Sequence, residues 1–123
     1  MENSGTSILK IYASSTDRIK NMLLYEYILH MARDNGISGV SVFRGVMGYG
    51  RSSKISSSKF WELTEKLPIV VELIDTTETL ETFFKLIQLD LVKMPKGCLV
   101  VMEPVIVKLM KPGTPQGVKP DDY

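Results

Sequence analysis

The sequence has very few of the residues that form covalent cross-links and metal centres. It contains one cysteine, Cys98, and one histidine, His30, among 123 residues. A single cysteine cannot close a disulfide within the chain, and these two residues fall short of the four ligands of a structural zinc site. We therefore expect no metal site and no need for an oxidising compartment.

Long apolar runs and an excess of charge of one sign are also missing. The chain has 15 Lys and Arg residues against 14 Asp and Glu residues, and its net charge is +1. This balance argues against a nucleic-acid partner, because such proteins usually present a strongly basic face. No apolar run reaches the roughly 18 residues of a membrane span. The opening MENSGTS lacks the basic and apolar regions of a signal peptide, so we expect a cytoplasmic protein.

The composition does supply one ordinary apolar core. Hydrophobic residues make up 44% of the chain, and a domain of this length buries about two-thirds of the surface of its unfolded chain. The last residues are rich in proline and glycine, which disfavours a packed structure. We expect one domain over residues 6–111, followed by a flexible C-terminal tail over residues 112–123.

Apolar residues predict four strands, at residues 7–13, 41–46, 67–75 and 98–110. In the first strand Leu9 and Ile11 fall on the face opposite Tyr12, because successive side chains alternate. The third strand is apolar enough to be a central strand covered on both faces. Pro104 should place a kink, a bulge or an edge in the fourth strand, and Cys98 should open that strand as a small core residue.

Apolar residues at intervals of four, three and four predict two helices. The first is expected over residues 22–35 and should stop at Gly36, since glycine adopts the left-handed conformation that ends many helices. The second should start at a capping box of Asp75 and Glu78 and end before Met94–Gly97. The predicted apolar stripes are Leu24, Ile28, Met31 and Asn35, widened by Tyr27, and Leu80, Phe84, Ile87 and Leu91, widened by Phe83.

The order of these elements is strand, helix, strand, long loop, strand, helix, strand. It predicts an α+β, ferredoxin-like βαββαβ fold, in which a four-stranded antiparallel sheet has both helices on one face and a long loop joins the second and third strands. The other face would hold Tyr12 and several residues of 69–74. Since a bare apolar sheet face of a few hundred Å² is not left in water, we expect this face to drive oligomerisation.

The long loop, residues 43–68, has the composition of an anion site. It opens with Gly45, Gly48 and Gly50 and continues through Arg51 and Lys54. Glycines allow backbone N–H groups to approach a phosphate closely, and nearby cations add charge-assisted hydrogen bonds. The alternative is that the glycines only turn the strand into a loop and that the cations are solvated.

Several segments together resemble a known family. They are Leu24–Ile28 (LYEYI), the Gly36–Gly50 segment with its RG and GYG elements, Ser52–Ile55 (SSKI), Leu67–Pro68, and the strand PIVVELID. In this combination they resemble the PII-like domain of unknown function family 190 (DUF190), of the nitrogen-regulatory PII superfamily. The resemblance covers residues 8–111.

The resemblance implies a trimer packed sheet to sheet, with a long loop after the second strand and ligands such as adenine nucleotides in clefts between subunits. Gly48–Arg51 stands where the superfamily has the Gly-Phe-Gly-Arg loop base. Met94–Gly97 stands in place of its Gly-Asp-Gly-Lys phosphate loop, and Lys108 and Lys111 echo its basic pair. The candidate ligand-binding residues are therefore Gly48, Tyr49, Gly50, Arg51, Ser52, Ser53, Lys54, Lys96, Gly97 and Lys108.

The function expected from these features is signal transduction by a non-enzymatic homotrimer. A small anionic metabolite, with an adenine nucleotide as the candidate, would order the loop over residues 48–66, and no cofactor is assigned. The loop would then engage a partner, for which the resemblance suggests a membrane transporter or channel. Phe60 and Trp61 could anchor that partner or fold back on the protein. The alternatives are a small enzyme or metal-handling protein on the same scaffold and a trimer that docks one protein constitutively.

Two further residues are weighed as catalytic candidates. His30 should lie on the surface or in the packing of the first helix, since no second metal ligand stands at a suitable spacing. Cys98 would need a nearby base to act as a nucleophile, and none is apparent from the sequence. We expect no catalytic residues.

Overall fold

The computed structural model describes residues 5–49, the backbone of residues 56–57, and residues 66–114. In chain order the elements are β1 (Thr6–Ser14), β2 (Arg18–Ile19), β3 (Met22–Leu23), α1 (Leu24–Asp34), β4 (Gly39–Arg44), β5 (Met47–Gly48), β6 (Ser56–Ser57), β7 (Pro68–Thr76), α2 (Thr77–Lys93) and β8 (Leu99–Pro104).

The main sheet has four antiparallel strands in the order β4-β7-β1-β8. Helix α1 connects β1 to β4 and α2 connects β7 to β8, and both helices contribute to one core on one face of the sheet. The predicted ferredoxin-like βαββαβ fold is confirmed. Strand β7 is central as expected, but its buried residues alternate with half-buried or exposed ones, so the described residues cover only one of its faces.

The two helices bury the predicted stripes with small shifts. The buried helix residues are Leu24, Tyr27, Ile28 and Ala32 in α1 and Leu80, Phe83, Ile87 and Leu91 in α2. Asn35 is predicted to be part of the first stripe but is exposed, and Met31 is half-buried. Asn35 falls outside the stripe because α1 ends at Asp34 and Asn35 is its C-cap.

A hairpin that the sequence analysis missed delays the start of α1. Strands β2 and β3 pair antiparallel, and the two residues between them, Lys20 and Asn21, have φ angles of 51° and 66°. Positive φ at both central residues is the geometry of the tight turn that matches the twist of hairpin strands. Asp17, just before this hairpin, accepts a hydrogen bond from the Ser14 N–H through its carboxylate at 2.9 Å and one from the Leu24 N–H through its backbone carbonyl at 2.7 Å.

The end of α1 is as predicted. Gly36 has a φ angle of 73°. The Gly36 N–H donates to the Arg33 carbonyl at 3.2 Å, and the Ile37 N–H donates to the Ala32 carbonyl at 3.0 Å. These two bonds form the Schellman motif, which satisfies carbonyl groups left over at a helix end.

The cap of α2 lies one residue after the predicted position. The Thr76 hydroxyl, rather than the Asp75 carboxylate, accepts from the backbone N–H of Thr79 at 3.1 Å. Asp75 instead accepts from the Ser38 N–H at 2.9 Å and from its hydroxyl at 3.0 Å. Asp75 therefore ties the segment before β4 to the end of β7.

The last strand is shorter than predicted. Strand β8 ends at Pro104, and residues 105–114 have no regular secondary structure. Pro104 lies on an edge strand, which pairs with β1 on one side only, so its missing N–H leaves no hydrogen bond unmade to a strand on the other side. Cys98 precedes β8 and is exposed, so its assignment to the core was wrong. Within the described part of the chain, no helix is long and apolar enough to cross a membrane.

Candidate functional site

The base of the long loop is held tightly against Pro68. The Gly45 N–H donates to the Pro68 carbonyl at 2.7 Å. A Cβ atom at Gly45 would lie 2.9 Å from Pro68 Cγ, and one at Gly48 would lie 3.3 Å from the same atom. Such close approach leaves little room for a side chain at either position, and none at Gly45 without a shift of the ring.

Next to this base, the outgoing and returning segments of the loop pair with each other through β5 and β6. Met47 pairs with Ser57 and Gly48 pairs with Ser56. The returning segment is bound to the residue after β1 by two hydrogen bonds. The Leu67 N–H donates to the Ser15 hydroxyl at 2.9 Å, and the Ser15 N–H donates to the Leu67 carbonyl at 2.7 Å. The loop therefore leaves and re-enters the sheet at one place, and Tyr49 is 69% exposed beside it.

The predicted ligand residues at Lys96 and Gly97 lie at the same end of the sheet but on its other edge. They precede β8, which is the edge strand opposite β4. Strands are about 4.8 Å apart, so three spacings separate the two edges by about 14 Å. Lys96 and Gly97 border a groove of about 290 Å³ between α2 and β8, whose lining also includes Phe84, Val92 and Val100.

Lys108 lies beyond the opposite end of the sheet. Strand β8 runs antiparallel to β1, and the residue after it, Val105, donates its N–H to the carbonyl of Thr6 at 3.0 Å. The loop base lies near Ser14, at the far end of β1. Nine residues of strand span about 26 Å at 3.3 Å per residue. A single protomer therefore does not bring Lys108, Lys96 and the loop base together.

The other predicted site residues fall outside the described residues. They are Gly50, Arg51, Ser52, Ser53 and Lys54 among the ligand residues and Phe60 and Trp61 among the partner residues.

The remaining candidates for chemistry do not form a catalytic group. His30 is exposed on α1, as expected. Partial burial raises the pKa of the Cys98 thiol, and the carboxylate of Asp17 raises it further, so the thiol keeps its proton at neutral pH. In the part of the chain that the structure describes, no group of three or more His, Cys, Asp and Glu residues could hold a metal ion.

A polar contact between the helices was missed by the sequence analysis. The Tyr27 hydroxyl donates to the Asp90 carboxylate, and Lys20 approaches the same carboxylate at 3.4 Å. Burial raises the pKa of Tyr27, with a further rise from Asp90, and the hydrogen bond from Tyr27 lowers the pKa of Asp90. The sequence pattern assigns Tyr27 only to the apolar stripe, because spacing along one helix cannot identify a partner on another.

The sheet face on which the described residues place no helix presents a grid of four strands by three rows, which we call the open face. From β4 to β8 the rows are Phe43, Val70, Tyr12 and Leu99 next to the loop base, Ser41, Glu72, Lys10 and Val101 in the middle, and Gly39, Ile74, Ile8 and Glu103 at the far end. Seven of these twelve side chains are apolar or aromatic, and Phe43 and Leu99 are 51% and 57% exposed. The row next to the loop base contains no charged residue.

Comparison with known sequences supports the family resemblance. The sequence model of the DUF190 family (Uncharacterized ACR) matches residues 6–107. A UPF0166 protein of Aquifex aeolicus (strain VF5) is 35% identical over 78 residues, which are 63% of this chain and 74% of that protein. The prediction made from the LYEYI, GYG and SSKI elements is confirmed.

Solved structures share the fold. A nitrogen regulatory PII-like protein of Thiomonas intermedia K12, bound to ADP, AMP and bicarbonate, has a TM-score of 0.56 at 12% identity, covering 81% of this chain and 87% of that chain. A PII-like protein of Thermus thermophilus has a TM-score of 0.58 at 15% identity, covering 81% of this chain and 86% of that chain. At these identities the likeness shows a PII-like ferredoxin fold and nothing finer.

Proposed function

The chain belongs to the DUF190 family, and on that premise we propose that it is a PII-like regulatory protein rather than an enzyme. Copies of the chain assemble through the open face. A small anionic metabolite binds where copies meet, and the loop over residues 48–66 transmits its presence to a partner.

The separation of the candidate ligand residues supports a site shared between copies. Gly48 and Tyr49 lie at the β4 edge, Lys96 and Gly97 lie at the β8 edge, and Lys108 lies beyond the other end of the sheet. A second copy can place one edge against the other, whereas one protomer holds these edges about 14 Å apart. This separation is the observation on which the proposal chiefly rests.

The open face supports the assembly itself. Antiparallel sheets that face water usually alternate apolar and polar residues, with the polar residues outward. Here the outward row next to the loop base is Phe43, Val70, Tyr12 and Leu99. Covering this face removes apolar area from water, and the family resemblance makes a homotrimer the expected closed assembly.

An anion is the expected ligand because of the donors that would surround it. Gly48 and Gly50 supply backbone N–H groups, and Arg51, Lys54 and Lys96 supply positive charge. Such donors bind phosphate or carboxylate groups through charge-assisted hydrogen bonds. The Thiomonas protein of the same fold binds ADP, AMP and bicarbonate, so an adenine nucleotide is the first ligand to test.

The loop is the element that would carry the signal. Its base is fixed at Gly45, Pro68 and Leu67, so binding at Gly48–Lys54 would act on the remainder of the loop rather than on the sheet. Ordering of a segment by a ligand is a known route of switching. Phe60 and Trp61 then become the contacts for a partner such as a membrane transporter or channel.

Calorimetry with the full chain tests the ligand site. The probes are ATP, ADP, AMP and bicarbonate, and the variant is Arg51→Ala with Lys54→Ala. We expect a probe that binds the wild type to lose at least about tenfold in affinity, since a hydrogen bond to a charged group contributes about 1.5–3 kcal/mol. The matched control is Arg33→Ala with Lys85→Ala, which removes two exposed cations from the helices.

The control should bind as the wild type does. Equal affinity of the loop variant and the wild type for a bound probe would contradict the assignment of Arg51 and Lys54. Hydrogen exchange adds a second readout, because the proposal requires slower exchange over residues 48–66 when a binding probe is present. A constitutive docking protein would show no such change.

A further inference from the structure

The charged residues of the open face are not balanced. Lys10 is the one cation among the twelve positions of the grid, and Glu72 and Glu103 are the two anions. The Lys10 ammonium lies 2.9 Å from a carboxylate oxygen of Glu103. Each protomer therefore brings one more carboxylate than cation to this face.

Glu72 is the carboxylate without a dedicated cation. It lies directly opposite Lys10 in the register, but Lys10 makes its ion pair with Glu103. From β4 the residue opposite Glu72 is Ser41, which has no charge. The titratable groups that face Glu72 are thus Lys10 and Tyr12 on β1 and Glu103 on β8, and all lie on the same open face.

Assembly through this face would remove Glu72 from water. The residue is half-exposed in the protomer and lies in the middle row of the grid, on a central strand. Identical copies bring identical charges, so a second copy adds one Lys10 and two carboxylates and leaves the excess in place. Glu72 and Glu103 share one cation, because both carboxylates raise the pKa of Lys10. Two carboxylates that share one cation are costly to remove from water, and binding a proton relieves the cost.

We propose that assembly of this chain through its open face is linked to proton uptake at Glu72, so that copies associate more tightly as the pH falls. This inference rests on the assembly proposed above and adds a regulation to it. The assembled subunit binds this proton at a pH at which a free subunit has released it. Association therefore strengthens as the pH falls from neutrality, by up to about tenfold per pH unit for each proton taken up.

Sedimentation equilibrium of the full chain between about pH 5 and about pH 8, at constant ionic strength, tests this linkage. Glu72→Gln keeps the shape of the side chain and removes its charge. We expect this variant to associate more tightly than the wild type at neutral pH and to lose most of the pH dependence. Lys10→Met should associate more weakly with a steeper pH dependence, because Glu103 then also lacks its cation.

The matched control is Glu81→Gln, which removes the same charge from an exposed position on α2 and should follow the wild type. A wild type that assembles with no pH dependence would overturn the inference and leave the proposed assembly standing. If Glu72→Gln keeps the pH dependence of the wild type, the inference is likewise overturned and the proposed assembly still stands. A wild type that stays monomeric at every pH would overturn both.

Discussion

At the scale of single residues, polar contacts join parts of the chain that apolar periodicity does not relate. Tyr27 on α1 and Asp90 on α2 are 63 residues apart, and the hydroxyl of one donates to the carboxylate of the other. Lys20, from the turn of the β2–β3 hairpin, lies 5.8 Å from the centroid of the Tyr27 ring. One tyrosine thus connects both helices and the hairpin that precedes them.

Tyr27→Phe should lower the free energy of unfolding by about 1 kcal/mol, because the ring stays buried and only the hydrogen bond is lost. The pKa of Asp90 is lowered in the folded state, chiefly by this bond. The difference in stability between the wild type and Tyr27→Phe is therefore fully present above about pH 3.9, the ordinary pKa of an aspartate in an unfolded chain. It should shrink as the pH falls through the folded pKa. Chemical denaturation at several pH values measures it.

Tyr25→Phe is the control for that experiment. Tyr25 lies half-buried on the same helix, and the described part of the chain shows no hydrogen bond for its hydroxyl. Its variant should be as stable as the wild type. An equal loss in both variants would mean that the contact with Asp90 adds nothing to stability.

At the scale of elements, side-chain caps decide where the helices start and what the neighbouring residues do. The sequence pattern placed the α2 cap at Asp75, paired with Glu78. In the structure Thr76 caps the helix, and the Asp75 carboxylate at the end of β7 accepts a hydrogen bond from the Ser38 N–H just before β4. Adjacent acceptors with similar chemistry thus take different roles, since the Thr76 hydroxyl reaches the Thr79 N–H and the Asp75 carboxylate reaches Ser38.

Thr76→Ala should therefore destabilise the protein by about 1 kcal/mol, since the Thr79 N–H loses its acceptor. Thr76→Ser keeps the hydroxyl and should restore most of that loss. Thermal or urea unfolding provides the measurement. If Glu78→Ala proves more harmful than Thr76→Ala, the capping box predicted from sequence would be the better description.

At the scale of the whole molecule, the described part of the chain leaves one side of the sheet without a covering layer. Both helices cover the other side, and the open face carries Phe43, Tyr12 and Leu99 next to the loop base. The chain continues directly from Phe43 through Arg44 to Gly45. Burial of the open face in an assembly would thus occur beside the loop that is proposed to bind ligand.

Phe43→Asp should convert the assembly largely to monomers without unfolding them. Phe43 is 51% exposed in the protomer, so its replacement costs the fold little, while a carboxylate in the apolar row opposes burial of that row. Leu86→Asp is the matched control, because Leu86 is 50% exposed on the outside of α2. Sedimentation velocity compares the two, and a Phe43→Asp protein that remains assembled would place the interface elsewhere.

The sequence by itself determined the order of the two helices and the four strands of the main sheet, most of each buried stripe, the stop of α1 at Gly36 and the family. Each of these depends on residues within a few positions of one another, or on motifs that a local stretch displays. Residues 50–55, which include most of the predicted anion site, lie outside the described residues, and that part of the site remains a prediction from sequence.

Only the tertiary structure decided which distant residues meet. Lys10 lies opposite Glu72 and bonds to Glu103, and Gly45 approaches Pro68, because the strand order and register place them so. The strand order put Lys96 and the loop base on opposite edges of the sheet, and the register brought Lys10, Glu72 and Glu103 together on the open face. Strand pairing is a relation between segments far apart in the chain, and a period of two or 3.6 residues carries no information about it.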